Sequence, residues 1–335
     1  MSFRDLEAGH RKRRYTLVPQ FEDYDGNELH LRPYMTLGSR PGITGEVFST
    51  DAEGFRVSTS PQGPVDTRSW PESGGGIALG GSYVFGVGAT SDEATLPSRL
   101  AHLSGKPWLN LGVYAGNSLQ ELIAAVPFFE RADTVLVCSG INNVFASLQS
   151  LGTNELYGPL FFEGALAALG RVPVPDLVAG QAAGAAPLGT AGDTRPEPKS
   201  LTTADLAARL DGALRRQLRD LAVVAGAVRD GARLLFCLQP FADPVLRDPT
   251  PEERELYDLA QERQAAWTTA RDYAAAHWES YTERVAAGCE RLGVDFFALP
   301  ARAFSGFSFY DRVHMTDNGY RQAADMVWGK LCSNR

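Results

Sequence analysis

Short apolar runs alternate with amphipathic stretches from residue 76 to the end of the chain. Each run is nearly continuous, as expected for strands that are buried on both faces of a parallel sheet. We predict five such strands, at residues 77–80, 108–111, 134–138, 233–238 and 294–299. Because stretches of helical spacing separate them, the pattern predicts a three-layer α/β/α sandwich around a parallel sheet of five strands.

The stretches between the strands contain helix signals. Ser118 with Glu121, and Thr250 with Glu253, have the spacing of capping boxes, so helices are expected to begin there. Two apolar helical faces follow: Leu206, Leu210, Leu214, Leu218 and Leu221 form one, and Tyr320, Ala323, Val327 and Leu331 form the other.

Two segments depart from this alternation. Residues 1–75 have short β-like runs and turn signals, which predict an N-terminal extension of hairpins and loops packed on a main domain at 76–335. Residues 151–200 are too long for an ordinary connection and become rich in Gly, Ala and Pro. They form either a flexible insertion or a lid; their position directly after Asn142 favours a lid.

Composition and charge exclude several classes of protein. Apolar residues make up 44% of the 335 residues and charged residues 21%, as is ordinary for a soluble globular protein. A net charge of −8 argues against nucleic acid as a partner, and the basic run at 10–14 is interpreted as a solvated tail. No signal-like or membrane-spanning apolar segment is recognised, so we expect a cytoplasmic protein without a membrane partner. The four cysteines lack metal-site spacing, and nothing indicates a metal or an organic cofactor.

Three residues have the chemistry of an activated nucleophile. Ser82 follows the first predicted strand and two glycines, where a tight turn lets the backbone approach a ligand. Asp311 and His314 are three residues apart in one loop. The carboxylate would then fix the imidazole tautomer, which leaves the other ring nitrogen to accept the serine proton.

Two further residues are candidates for an oxyanion hole. Gly116 immediately precedes the capped helix at Ser118, so its N–H would lie outside the helical ladder and face an anion. Asn142 follows the third strand and could donate its side-chain amide to the same oxyanion. Gly112 is a second candidate for the glycine.

The ordered blocks Gly80-Gly81-Ser82, Gly116-Asn117-Ser118, Gly140-Ile141-Asn142 and Asp311-x-x-His314 resemble those of the SGNH hydrolases, also called the GDSL family. The resemblance covers residues 76–335. It implies a flavodoxin-like sheet and a site at the carboxyl ends of the strands. It further implies Ser82 as nucleophile, His314 as base, Asp311 as its orienting group, and an oxyanion hole formed by Ser82, Gly116 and Asn142.

The chain departs from the family pattern at two positions. Gly81 replaces the usual aspartate before the serine, and Asn143 replaces the usual aspartate after the asparagine. Both changes remove a carboxylate from the vicinity of the site. Residues flanking these blocks are candidates for substrate binding: Tyr83, Asn117, Asn143 and Phe145.

Three functions remain open from the sequence. The first is hydrolysis of a small-molecule carboxylic ester through an acyl-Ser82 intermediate. The second is transfer of the acyl group to an alcohol or amine, in carbohydrate or natural-product modification, which would need the same catalytic residues. The third is a non-catalytic binding or regulatory protein on this fold, since a fold does not determine function. The sequence does not indicate the oligomeric state.

Overall fold

The computed structural model describes residues 3–27, 29–150, 156–164, 201–245, 248–261 and 265–333, together with residues 166 and 175. Within these ranges the N-terminal extension contains two helices and two antiparallel hairpins. The helices are α1 (Phe3–Leu17) and α2 (Phe21–Gly26); the hairpins pair β1 (Leu29–Arg32) with β2 (Thr36–Ser39), and β3 (Ser58–Ser60) with β4 (Gly63–Val65).

A five-stranded parallel sheet forms the centre of the described main domain. Its strands are β5 (Gly75–Gly80), β6 (Trp108–Gly112), β7 (Ala132–Ser139), β8 (Arg233–Leu238) and β9 (Asp295–Ala298). They lie in the order β6-β5-β7-β8-β9, with all four neighbouring pairs parallel. This is the flavodoxin-like order, in which the direction of winding reverses between the first and third strands. The predicted fold class is therefore confirmed.

Helices cover both faces of the sheet. They are α3 (Ser82–Phe85), α4 (Leu96–Ser104), α5 (Ser118–Ala125), α6 (Ile141–Leu148), α7 (Thr203–Ala227), α8 (Ala242–Val245), α9 (Pro251–Gln261), α10 (Ala265–Leu292) and α11 (Asp317–Ser333). Successive strand residues face opposite sides. In β5, Ile77 and Leu79 therefore join the core formed with α5, α6, α7 and α10, whereas Ala78 joins the core formed with α4 and α11.

The N-terminal extension is more helical than the sequence indicated. The basic run at 10–14, predicted as a solvated tail, lies inside α1. Arg13 pairs with Glu255 of α9, and Arg14 pairs with Asp25. The prediction was wrong because these long-range partners were not visible in the local pattern. The predicted hairpins are present.

The cap of α5 differs by one residue from the prediction. Asn117, not Ser118, is the N-cap, and its side chain and that of Gln120 bond each other's backbone N–H. Ser118 is the first helical residue, and its hydroxyl instead donates to Asp220. At α9 the predicted box is confirmed: Glu253 accepts from the N–H of Thr250 at 2.7 Å, and Thr250 accepts from the N–H of Glu253 at 3.3 Å.

The predicted insertion at 151–200 lies mostly outside the described residues. In its described part, 156–164, the carbonyl of Pro159 accepts a hydrogen bond from Asn117 at 3.2 Å. The carbonyl of Leu156 accepts one from Arg219 of α7 at 2.8 Å. This part of the segment is therefore attached to the loop after β6. None of the helices in the described ranges is long and apolar enough to cross a membrane.

Candidate active site

Ser82 lies at the carboxyl end of the central strand β5. Strand β5 ends at Gly80, Gly81 is the N-cap of the short helix α3, and Ser82 is its first residue. The side chain is largely covered, because Ser82 is 7% exposed. Its backbone N–H belongs to the first turn, where the helix supplies no acceptor.

Ser82, His314 and Asp311 form a continuous hydrogen-bonded relay. The Ser82 Oγ lies 2.8 Å from His314 Nε2, and His314 Nδ1 lies 2.7 Å from Asp311 Oδ2. An ionised carboxylate can only accept, so the proton lies on Nδ1 and Nε2 is the acceptor for the serine hydroxyl. The three residues that the sequence singled out for nucleophilic chemistry are thus brought together from positions 232 residues apart.

The loop around Asp311 holds this carboxylate in place. Its second oxygen, Oδ1, accepts the backbone N–H of His314 at 2.8 Å and that of Val313 at 3.1 Å. Burial by itself would raise the pKa of Asp311, but the interaction with His314 and the two backbone hydrogen bonds outweigh it and lower the pKa. Asp311 therefore stays ionised and can stabilise a protonated His314.

Asn142 and Gly81 are packed against each other beside Ser82. The Asn142 Nδ2 donates to the carbonyl of Gly116 at 2.7 Å. A Cβ added at Gly81 would lie only 2.3 Å from the same nitrogen. The amide thus occupies the space that a side chain at position 81 would need.

The predicted role of the Gly116 N–H is wrong in this conformation. That N–H donates to the carbonyl of Val113 at 2.9 Å, which closes a turn, so it does not face the site. The alternative, Gly112, is also engaged, because its N–H donates to the Asn110 side chain at 3.0 Å. Gly116 contributes instead through its carbonyl, which orients the amide of Asn142.

Asn117 and Asn143 form hydrogen bonds within the scaffold. Asn117 caps α5 and bonds the carbonyl of Pro159. The amide of Asn143 accepts from the N–H of Ser118 at 2.9 Å and donates to Ser118 Oγ at 2.7 Å and Gln217 Oε1 at 3.0 Å. Both side chains have their polar atoms engaged, so the prediction that they bind substrate is wrong for this conformation.

Tyr83 and Phe145 point into the two cores and not into the site. Tyr83 is 0% exposed and packs on Tyr320 with ring centroids 5.4 Å apart. Phe145 packs edge-on against Phe241 at 5.9 Å. Their prediction as substrate-binding residues was wrong because both side chains are buried in the cores. Tyr83 follows Ser82 directly on α3 and therefore points about 100° away from it.

A buried carboxylate that the residue pattern did not indicate lies behind the site. Asp220 of α7 accepts the Ser118 hydroxyl at 2.5 Å and Arg219 Nε at 2.7 Å. Ser118 Oγ also accepts a hydrogen bond from Asn143, so Asp220 helps to hold the Asn143 side chain in place. The carboxylate that is missing at position 143 is thus supplied nearby by α7. One signal was available: Gln217 falls on the apolar face between Leu214 and Leu221, and a polar residue there indicates a buried polar network.

Replacing Gly81 with alanine should impair the site specifically. The new Cβ would displace the Asn142 amide, which the sequence predicts as an oxyanion donor, and the loss of such a donor typically costs about 10²-fold in rate. We expect kcat to fall by about that factor in an ester hydrolysis assay. The matched control is Gly226→Ala, on the exposed face of α7, where a Cβ would meet nothing within 4 Å. Equal rates for the two variants would contradict the role of the Gly81–Asn142 contact.

Comparisons with known proteins give structural similarities only. No protein-family model matches the chain, and no curated protein sequence matches it. Among solved structures, an extracellular lipase from Streptomyces rimosus is 14% identical, with 76% of this chain and 98% of that chain covered and a TM-score of 0.40. A carbohydrate acetylesterase from Sinorhizobium meliloti is 12% identical, with 77% and 98% covered and a TM-score of 0.41.

The fold and the site together define a class. The chain is an α/β protein with a flavodoxin-like sheet that carries a Ser-His-Asp relay at the carboxyl edge of its strands. The relay lies beside β5 and β7, the point where the winding of the sheet reverses, which is where open α/β sheets bind their ligands.

Proposed function

We propose that this protein is a serine hydrolase of the SGNH type that cleaves a small carboxylic ester through an acyl-Ser82 intermediate. The observation that carries the proposal is the relay of 2.8 Å and 2.7 Å hydrogen bonds from Ser82 through His314 to Asp311. Such a relay has the geometry of a nucleophile, its general base and the group that orients the base. A purely structural serine does not need an oriented imidazole.

In the proposed reaction, Ser82 Oγ attacks the ester carbonyl while His314 Nε2 takes its proton. The Ser82 N–H and the second N–H of the Asn142 amide stabilise the oxyanion. Protonated His314 then donates to the leaving alkoxide, which departs as the alcohol. Water, deprotonated by His314, attacks the acyl-enzyme and releases the carboxylic acid with Ser82 restored.

A panel of aryl esters with short, long and aromatic acyl groups tests this proposal. We expect hydrolysis of at least one ester, and one phosphonyl adduct on Ser82 when the protein is treated with a fluorophosphonate and analysed by mass spectrometry. Absence of both turnover and adduct in folded protein would refute the proposal and favour the binding-protein alternative. Adding an alcohol or amine acceptor distinguishes a hydrolase from an acyltransferase. Faster formation of the transfer product than of the free acid would identify an acyltransferase.

A further inference from the structure

One apolar cluster connects the N-terminal extension with two loops of the candidate site. The loop after Ser82, at residues 86–91, is called the nucleophile loop, and the loop at residues 299–316, which contains Asp311 and His314, is called the base loop. Val18, Phe21 and Tyr24 of the extension pack with residues of the loop after Ser82 and with Tyr310, which precedes Asp311. These contacts join two loops that are otherwise separate in sequence. The extension, whose role the sequence did not indicate, is therefore part of the surroundings of the relay.

In the nucleophile loop, the residue that contacts the base loop is Gly88. The N–H of Val87 donates to the carbonyl of Ser82 at 3.0 Å, which ties this turn to the nucleophile. Gly88 has a φ of +98°, and a Cβ there would lie 2.3 Å from the ring of Tyr310. Glycine thus allows the tyrosine ring to lie directly against the backbone of the nucleophile loop.

In the base loop, the residue that contacts the nucleophile loop is Tyr310. Its N–H donates to the carbonyl of His314 at 2.9 Å, and its hydroxyl donates to the carbonyl of Gly88 at 2.6 Å. The ring is 4% exposed and is held edge-on between Phe21 at 5.0 Å and Phe307 at 5.6 Å. Burial raises the pKa of the phenol, so the hydroxyl remains a donor. Tyr310 therefore bridges the base loop to the nucleophile loop.

Gln20, the N-cap residue of α2, contacts both loops. Its Nε2 donates to the carbonyl of Gly88 at 3.0 Å and to the hydroxyl of Tyr310. One amide from the extension thus bonds a group on each catalytic loop. The carbonyl of Gly88 consequently receives two hydrogen bonds, one from each partner.

We propose that Gln20 and Tyr310 are positioning residues that set the distance between Ser82 Oγ and His314 Nε2 through their shared contact with Gly88. The proposal rests on the proposed hydrolase function. Neither side chain touches the reacting atoms. Both act by holding the two loops in register, and a displacement of about 1 Å in such a site can cost about 10²-fold in rate.

Two conservative substitutions test the proposal. Tyr310→Phe removes only the hydroxyl, and Gln20→Met keeps the length of the side chain but removes the donor. We expect each to lower kcat about 10- to 100-fold with little change in KM, because ester binding is left intact. The double variant should lose less than the product of the two single losses, since both act on the same contact.

Tyr24→Phe is the matched control. The Tyr24 hydroxyl also lies in this cluster and donates to the carbonyls of Gly86 and Ala89 on the nucleophile loop, at 2.9 and 2.7 Å. Among the described residues, this hydroxyl also accepts a hydrogen bond from Arg56 at 2.8 Å, and none of its hydrogen-bond partners belongs to the base loop. We expect Tyr24→Phe to lower the melting temperature but to keep kcat near the wild-type value. An equal loss of kcat in Tyr24→Phe would mean general loosening of the loop and would overturn the proposal.

A crystal structure of the Tyr310→Phe protein separates this inference from the proposed function. We expect the Ser82 Oγ–His314 Nε2 distance to lengthen from 2.8 Å beyond hydrogen-bonding reach. An unchanged distance, or wild-type kcat in both single variants, would overturn the positioning role. If the wild-type protein hydrolyses no ester and forms no phosphonyl adduct, the proposed hydrolase function is refuted. The Ser82 Oγ–His314 Nε2 distance in the variant still tests the positioning role of Tyr310 in that case.

Discussion

Replacement of Ser82 by alanine is expected to lower the rate of ester hydrolysis about 10⁴-fold or more. The hydroxyl is the proposed nucleophile, and its Oγ is the group that is hydrogen-bonded to His314 Nε2. The measurement is the initial rate on the best ester of the panel. Labelling by the fluorophosphonate should vanish in parallel. The folded state should persist, because the change removes one small hydroxyl.

Ser147→Ala is a matched control for the loss of a buried serine hydroxyl. Ser147 lies on α6, the helix that also carries Asn142, and accepts a hydrogen bond from Arg216 at 2.8 Å. This variant should retain both hydrolysis and labelling. If Ser82→Ala hydrolyses the ester as fast as Ser147→Ala, the acyl-Ser82 mechanism is excluded.

Glu121 is a buried acid behind the active site. It is 2% exposed, and the Ser139 hydroxyl and the Asp220 carboxylate lie near its carboxyl group. Burial raises its pKa to about 8; the nearby Ser139 hydroxyl offsets only part of this rise, to which Asp220 adds. Glu121 is therefore largely protonated in the folded protein at neutral pH.

The protein should lose stability as the pH rises from about 5 to about 8, the range between the unfolded and folded pKa values of Glu121. In this range the folded state holds a proton that the unfolded state has released, so rising pH favours unfolding. The free energy of unfolding should fall by about 1.4 kcal/mol per pH unit. Urea denaturation at several pH values measures this slope.

Glu121→Gln should remove this contribution, because an amide of the same size does not ionise. The variant should be more stable than the wild type at pH 8, with a difference that shrinks toward pH 5. Glu130→Gln, at an exposed position after α5, is the matched control and should leave the slope unchanged. Parallel pH profiles of wild type and Glu121→Gln would show that Glu121 does not titrate in this range.

The fold was largely predictable because its signals are local. The run 234–238 is apolar throughout, and the strand predicted at 233–238 has the same bounds as β8 (Arg233–Leu238), whose last four residues are buried. The N-terminal helix α1 was missed because its ion pairs involve Asp25 and the distant Glu255. A polar stretch with distant partners cannot be distinguished locally from a solvated tail.

The side chains of the hydrogen-bonded relay were predictable from the sequence, and their surroundings were less so. Ser82, Asp311 and His314 stood out because their residue types and strand-end positions combine into one reaction. The direction of Tyr83 depends on the rotation of α3, a four-residue helix with no periodicity to interpret. The N–H of Gly116 was judged free because the turn to Val113 depends on backbone angles that the residue types do not specify.

The amino-acid sequence by itself determined the strands and the layered architecture, and it singled out Ser82, His314 and Asp311 as candidates for a nucleophile, its base and the orienting carboxylate. These follow from apolar periodicity and from residue chemistry, which act over a few positions along the chain. Only the tertiary structure decided that Gly81 makes room for Asn142, that Asp220 lies behind the site, and that Gln20 joins the two catalytic loops. Each of these depends on a distance between residues that are far apart in sequence, and such distances are set by packing of the whole chain.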